Sequence, residues 1–139
     1  MVRVIRKNEK RELGQALVEF ALIIPLFLLL VFAIVDFGMG FYSWITVTNA
    51  AREGARVGAV GADSATIQQR VRDTAGSLNN SNLTITVTNA QGNSGEEVSV
   101  GVVYKYTMIT PLSTVIKLFA GGNVGPQINF SATSKMRLE

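Results

Sequence analysis

Apolar positions recur along this chain in three successive rhythms. From Phe20 to Val35 the run FALIIPLFLLLVFAIV holds no charge and no strongly polar group; Asp36 interrupts it, and Phe37 to Ala51 is again uncharged. A stretch of about 20 apolar residues spans a bilayer core. Phe20 to roughly Phe41 is therefore predicted to cross a membrane, inside a longer helix over residues 15–60. The second rhythm is helical and small: Ala50, Ala51, Gly54, Ala55, Gly58 and Ala59 form a stripe, and Gly54-x-x-x-Gly58 allows close backbone approach. Gly61-Ala62-Asp63 ends this helix, and Asp63 or Ser64 can cap the next. In that next helix Ile67, Val71, Ala75 and Leu78 share one face.

The third rhythm has period two. Leu83, Ile85 and Val87 alternate with threonines; Val98, Val100, Val102, Tyr104, Tyr106 and Met108 alternate over the next strand; Ile128, Phe130, Ala132, Ser134 and Met136 repeat the pattern. Alternation with one polar face predicts an antiparallel sheet covered on one side. Between the last two strands, Thr110-Pro111 opens a short helix containing Leu112, Val115, Ile116 and Phe119, with Gly121-Gly122 as its stop. The expected fold class is α+β: a long N-terminal transmembrane helix, then a small extracytoplasmic domain over residues 61–139. That domain comprises a second helix, a three-stranded antiparallel sheet and a short helix. A unit of about 80 residues is marginal alone, so it should lean on the long helix.

Charge adds direction. Of 13 Lys plus Arg and 10 Asp plus Glu, residues 1–14 hold Arg3, Arg6, Lys7, Lys10 and Arg11 against Glu9 and Glu12, so the net +3 lies entirely there. Positive residues beside a membrane segment stay cytoplasmic, which puts the N-terminus inside and the domain outside. Phe41, Tyr42 and Trp44 stand at the far end, as an interfacial aromatic belt would. The apolar run is longer than a usual signal-peptide core, and no clear small-x-small cleavage site follows it.

Composition removes whole classes of chemistry. The chain has no cysteine and no histidine, which excludes disulfide scaffolds, thiol catalysis and mechanisms built on imidazole. No P-loop, dinucleotide fingerprint, nucleophile elbow or HExxH motif occurs, so no enzyme, metal or cofactor is expected. With the basic excess confined to residues 1–14, no nucleic-acid surface is expected either.

The junction Arg11-Glu12-Leu13-Gly14-Gln15-Ala16-Leu17-Val18-Glu19-Phe20 sets a glycine before the apolar run and a lone carboxylate five positions later. It resembles the type IV pilin class. More specifically, Gly14 with Glu19-Phe20, Pro25 inside the run, and Asn49-Ala50-Ala51-Arg52-Glu53-Gly54-Ala55-Arg56 together resemble the TadE-like family of the tight-adherence (Tad/Flp) pilus system. That resemblance implies a minor pilin or pseudopilin in a bacterial inner membrane. Residues 1–14 would be a leader removed by a prepilin peptidase between Gly14 and Gln15, and Phe20 would complete the recognition motif. Glu19 would then pair with the freed amine of its own or a neighbouring chain and set register in an oligomer or filament. Other pilins of the system and the lipid bilayer are the implied partners.

The remaining candidates have plainer roles. Pro25 lacks an N–H donor and should kink the helix. Ala51, Gly54, Ala55 and Gly58 pack either between subunits or against the chain's own domain; the spacing leaves both open. Asp36 lies about 24 Å along the helix from Phe20, at outer headgroup level. Arg52 and Arg56, a like-charge pair one turn apart, seek acidic partners or lipid phosphates. The alternative to a pilin is an uncleaved single-pass membrane protein whose outer domain binds a ligand or partner.

Overall fold

A computed structural model of the chain describes residues 5–119, 125 and 127–139, with side chains from Glu12 onward. The elements are α1 (Ile5–Ala59), α2 (Ser64–Thr74), a 3-10 turn (Asn80–Asn82), β1 (Leu83–Thr88), β2 (Glu97–Thr107), α3 (Leu112–Phe119) and β3 (Gln127–Arg137). The fold is α+β, as the periodicities predict, and each expected strand forms within about two residues of its apolar pattern. The expected Gly121-Gly122 stop lies outside the described residues, as does the start of the basic segment.

α1 has 55 residues and is about 80 Å long at 1.5 Å per residue. It starts at Ile5, so the helix extends back into the basic segment rather than beginning near residue 15. It is long and apolar enough to cross a membrane. Its two halves live in different surroundings. None of the side chains from Glu12 to Val35 is buried. From Asp36 a buried face begins and continues turn by turn through Gly40, Ser43, Val47, Ala50, Ala51, Gly54, Ala55 and Gly58. Docking of the domain therefore begins inside the stretch 20–41 that hydropathy assigns to the membrane.

The sheet has strand order β1-β2-β3, antiparallel throughout. Its register places Val98, Val100, Val102, Tyr104 and Tyr106 of β2 opposite Met136, Ser134, Ala132, Phe130 and Ile128 of β3, all on one face. That face lies on α1 and α2, while Thr84, Thr86 and Thr88 point the other way. β2 runs down the helix: Val98 lies against Gly58 at one end, and Tyr106 reaches Asp36 at the other.

α2 closes the other side of the core. Asp63 caps it, its Oδ1 accepting from the Thr66 N–H at 3.1 Å. Ile67, Val71, Ala75 and Leu78 are all buried, although the helix stops at Thr74 and the last two pack from the turn that follows. At the top of the domain the C-terminal residues fasten to the end of α1 and to the loop between β1 and β2. The Glu139 N–H donates to the Ala59 carbonyl at 3.0 Å, satisfying one orphaned acceptor of the α1 terminus. The Leu138 N–H donates to Glu96 at 2.8 Å, and Gly95 returns a bond to Leu138 at 2.9 Å.

The small stripe makes this packing possible. A Cβ on Gly54 would lie 2.5 Å from Val71 Cγ2 and 3.1 Å from Val100 Cγ1. One on Gly58 would lie 3.0 Å from Val98 Cγ2 and 3.1 Å from Ile67 Cδ1. The residues met are buried and β-branched, with little freedom to turn away. Gly54→Ala should therefore destabilise the domain by roughly 1–3 kcal/mol despite alanine's better helix propensity. Gly38→Ala, where nothing lies within 4 Å, should be neutral or slightly stabilising. Urea unfolding of the two variants in detergent, followed by circular dichroism, checks the contrast.

Candidate functional site

The candidate residues fall into two groups on one helix. Gly14, Gln15, Glu19 and Phe20 lie together on exposed turns of α1, with apolar Leu13, Leu17 and Val18 around them. Nothing comes within 4 Å of where a Gly14 side chain would begin. The Gln15 side-chain amide donates to Glu19 Oε1 at 3.4 Å across one helical turn. Glu19 thus already faces the residue whose amine cleavage would free. Pro25 lies in the same exposed half, and α1 continues through it. Loss of its N–H removes one backbone hydrogen bond without ending the helix.

The second group is Ala51, Gly54, Ala55 and Gly58. All four are buried, and the two glycines face Ile67, Val71, Val98 and Val100 of the same chain. Of the two partners left open by their spacing, this structure supplies the internal one. Between the groups, from Glu19 to Ala51, lie about 48 Å of helix at 1.5 Å per residue. They are separate sites joined by a rigid element.

The charged turn beside the stripe is self-paired. Glu53 takes a bidentate contact from Arg56, Nε to Oε2 at 2.9 Å and Nη2 to Oε1 at 2.8 Å, and Arg70 Nε stands 3.4 Å away. The Arg56 hydrogen bond holds the Glu53 carboxyl below the usual glutamate range. Arg56 therefore needs no external acid, contrary to the expectation from its like-charge spacing with Arg52. The worth of so exposed a pair is small.

Asp36 is the residue whose role the pattern did not reveal. It is buried, at 6% exposure, and its carboxylate collects donors from the end of β2 and the turn that follows it. The Tyr106 hydroxyl donates to Oδ1 at 3.2 Å, the Ile109 N–H donates to Oδ1 at 3.0 Å, and the Thr110 hydroxyl donates to Oδ2. Thr110 Oγ1 also accepts from the Leu112 N–H at 3.2 Å, passing the connection to the first residue of α3. Asp36 is thus more than an acid at headgroup depth: it hooks the lower end of the sheet, and the start of α3, to the long helix. Burial, followed by the negative charge of Asp36, pushes the Tyr106 hydroxyl up to about 12, so it remains a donor through neutral pH. The separation of 70 residues explains why no local motif announces the contact.

Beside this hook an apolar cleft of about 370 Å³ opens between α1 and the lower end of the sheet. Phe37, Phe41 and Trp44 line it from the helix, Leu112 from α3, and Ile128 and Phe130 from β3. A Cβ on Gly40 would stand 3.2 Å from the Phe130 ring, so the cleft also depends on a small helix residue. Among the described residues no group of acids, histidines or cysteines could hold a metal.

Residues 14–56 match the family model described as TadE-like protein. The match opens at Gly14, includes Glu19, Phe20, Pro25 and Asp36, and ends at Arg56, so it covers the three N-terminal features that carried the resemblance and none of the sheet. It supports a pilin-like protein associated with a Tad pilus. No curated protein and no solved structure matches the chain.

The Asp36 hook has a measurable alkaline signature. Tyr106 ionises near 10 when unfolded and near 12 in the fold, so its contribution is complete below pH 10 and disappears as pH rises toward 12. The wild type should lose about 2–3 kcal/mol through this group across that window. Tyr106→Phe should start less stable at neutral pH and lose less. Urea midpoints of both proteins between pH 8 and about 12 give the comparison. Parallel alkaline slopes would rule out the assigned contact.

Proposed function

We propose that the chain is a minor pilin or pseudopilin of a Tad-type pilus, a structural subunit and peptidase substrate rather than a catalyst. The supporting observation is the TadE-like match that opens at Gly14, on a helix whose half from Glu12 to Val35 buries no side chain within the chain. Five basic residues ahead of Gly14 hold that end in the cytoplasm, and the sheet domain stands outside.

The free part of α1 fits this assignment in length. Gln15 to Val35 covers 21 residues, or about 31 Å at 1.5 Å per residue, against a hydrocarbon core of about 30 Å. Asp36, where docking of the domain begins, then lies at the outer boundary, and Phe41, Tyr42 and Trp44 form the aromatic belt just beyond it. Gln15 and Glu19 occupy the inner boundary.

Cleavage between Gly14 and Gln15 creates an ammonium one turn from Glu19. An unpaired charge entering low dielectric costs several kcal/mol, so each of the two charges requires the other, within one chain or between neighbours. Pairing between neighbours sets the axial register of an assembly. Removing residues 1–14 also discards the whole +3, leaving eight acidic and eight basic side chains in the mature subunit.

One structural feature favours the alternative of an uncleaved single-pass protein with an outer binding domain: the apolar cleft beside Asp36. The two readings diverge at the N-terminus. In membranes from cells carrying a prepilin peptidase, intact-mass spectrometry should find a chain that starts at Gln15. A full-length chain in those cells would reject the pilin reading. Glu19→Ala should insert into the membrane as before, yet enter sheared surface filaments several-fold less well than wild type. Equal recovery of both would remove Glu19 from assembly.

A further inference from the structure

The lower end of the domain carries an apolar surface that the described residues leave uncovered. Ile109 is 63% exposed, Leu118 81% and Phe119 83%. Phe37, Phe41 and Trp44 on α1 are exposed as well, and they share the cleft with Leu112, the first residue of α3. Isolated apolar side chains on a surface are ordinary, whereas a joined group of large ones marks an interaction surface.

Its height along the molecule is fixed. The Asp36 carboxylate holds the Ile109 N–H and the Thr110 hydroxyl, and Thr110 in turn receives the first N–H of α3. Ile109 and the start of α3 are therefore tied to the level of residue 36, where the free apolar length of α1 ends. The start of α3 thus stands at the end of the helix surface that the proposed function assigns to lipid.

Charge narrows what can cover it. The segment from Lys105 to Phe119 that carries the patch holds Lys105 and Lys117 and no Asp or Glu. Lys117 stands in the last turn of α3, directly before Leu118 and Phe119. A lysine beside bulky apolar residues can bury its stem among acyl chains and keep its ammonium at the phosphates. Such a pairing on a short amphipathic helix is the composition of a segment that lies in the membrane interface.

We propose that α3 and the Ile109 turn lie in the outer interface of the bilayer, with Ile109, Leu118 and Phe119 among the acyl chains and Lys117 at anionic headgroups. This deepens the membrane reading of α1 and rests on it. The subunit then has two attachments on the outer side, the helix and α3, joined through Asp36. Together they fix the tilt of the domain over the membrane, and α3 must leave the lipid when a subunit is drawn into a filament. A second copy of the chain is the competing occupant of the patch. It is less favoured because Lys105 and Lys117 have no acidic counterpart among the exposed apolar residues of α1 between Phe20 and Val35.

The absence of cysteine allows clean single-site labelling. Full-length Phe119→Cys, Leu118→Cys, Leu26→Cys and Ser94→Cys, each carrying an environment-sensitive fluorophore, are reconstituted into vesicles of phosphatidylethanolamine and phosphatidylglycerol. The Phe119→Cys and Leu118→Cys labels should shift to the blue, be quenched by lipid with a nitroxide near the headgroup, and resist aqueous iodide. Ser94→Cys, at the far hairpin, should remain open to iodide, and Leu26→Cys should respond to deep nitroxides only. If Leu26→Cys lies in lipid while both α3 labels stay open to iodide, the α3 proposal is overturned and the membrane reading stands. If Leu26→Cys is itself aqueous, both fall. Labels on α3 that resist iodide but ignore the lipid nitroxides would assign the patch to a second copy instead.

Discussion

The sheet domain exists because one stripe of α1 shrinks its side chains to a hydrogen or a methyl group. Three strands and an 11-residue helix do not make a self-sufficient core. They become one by closing on Gly54 and Gly58, where Ile67 and Val71 from one side and Val98 and Val100 from the other converge. Buried β-branched residues keep fixed rotamers and pack at near-crystalline density, so the helix has to be the partner that yields space. The same constraint recurs lower down, where Gly40 meets the Phe130 ring. What looks like a long helix with an appended domain is more accurately a domain with its central helix extended far beyond it.

That architecture needs a lower boundary, and an acid supplies it. A buried carboxylate is costly unless donors surround it. Asp36 receives three, all from residues 106–110, and it receives them only when β2 has run its full length down α1. A slip of β2 by one residue would turn Tyr106 to the opposite face of the sheet and deprive the carboxylate of that donor. The packing of the Tyr106 ring on Phe130, with centroids 6.0 Å apart, ties β3 into the same arrangement. Small residues thus allow the approach, and Asp36 makes its register specific.

Much of this was legible in the chain because it is local. Alternating Val98 to Tyr106, the Ile67, Val71, Ala75 and Leu78 face, and the Asp63 cap all depend on neighbours a few positions away. The N-terminal motif is equally local, which is why Gly14, Glu19 and Phe20 stand out in the chain itself. Two things were not legible. Spacing describes the Gly54 and Gly58 face but not its occupant, since a helix neighbour and a sheet demand the same absence of bulk. Asp36 could not be paired with Tyr106 and Thr110, because those partners are 70 and 74 residues away and carry no signature of their own. Hydropathy accordingly carried the membrane stretch on to Phe41, whereas burial against the domain begins at Asp36.

The consequence is mechanical. No linker separates the free half of α1 from the docked half: Val35 and Asp36 are successive residues of one helix. A domain on a flexible tether could reorient while its anchor stayed put, but here any rotation or tilt of the anchor is imposed directly on the sheet. The fastening at both ends, Asp36 below and the Ala59 carbonyl above, prevents the domain from hinging away from the helix. In an assembly whose register is set at Glu19, a rise or turn fixed there would be transmitted along the rigid helix to the outer surface of the subunit. In the proposed assembly the two acids of the helix would divide the work: Glu19 would orient subunits with respect to one another, and Asp36, which ties the sheet domain to the helix, would make that domain follow.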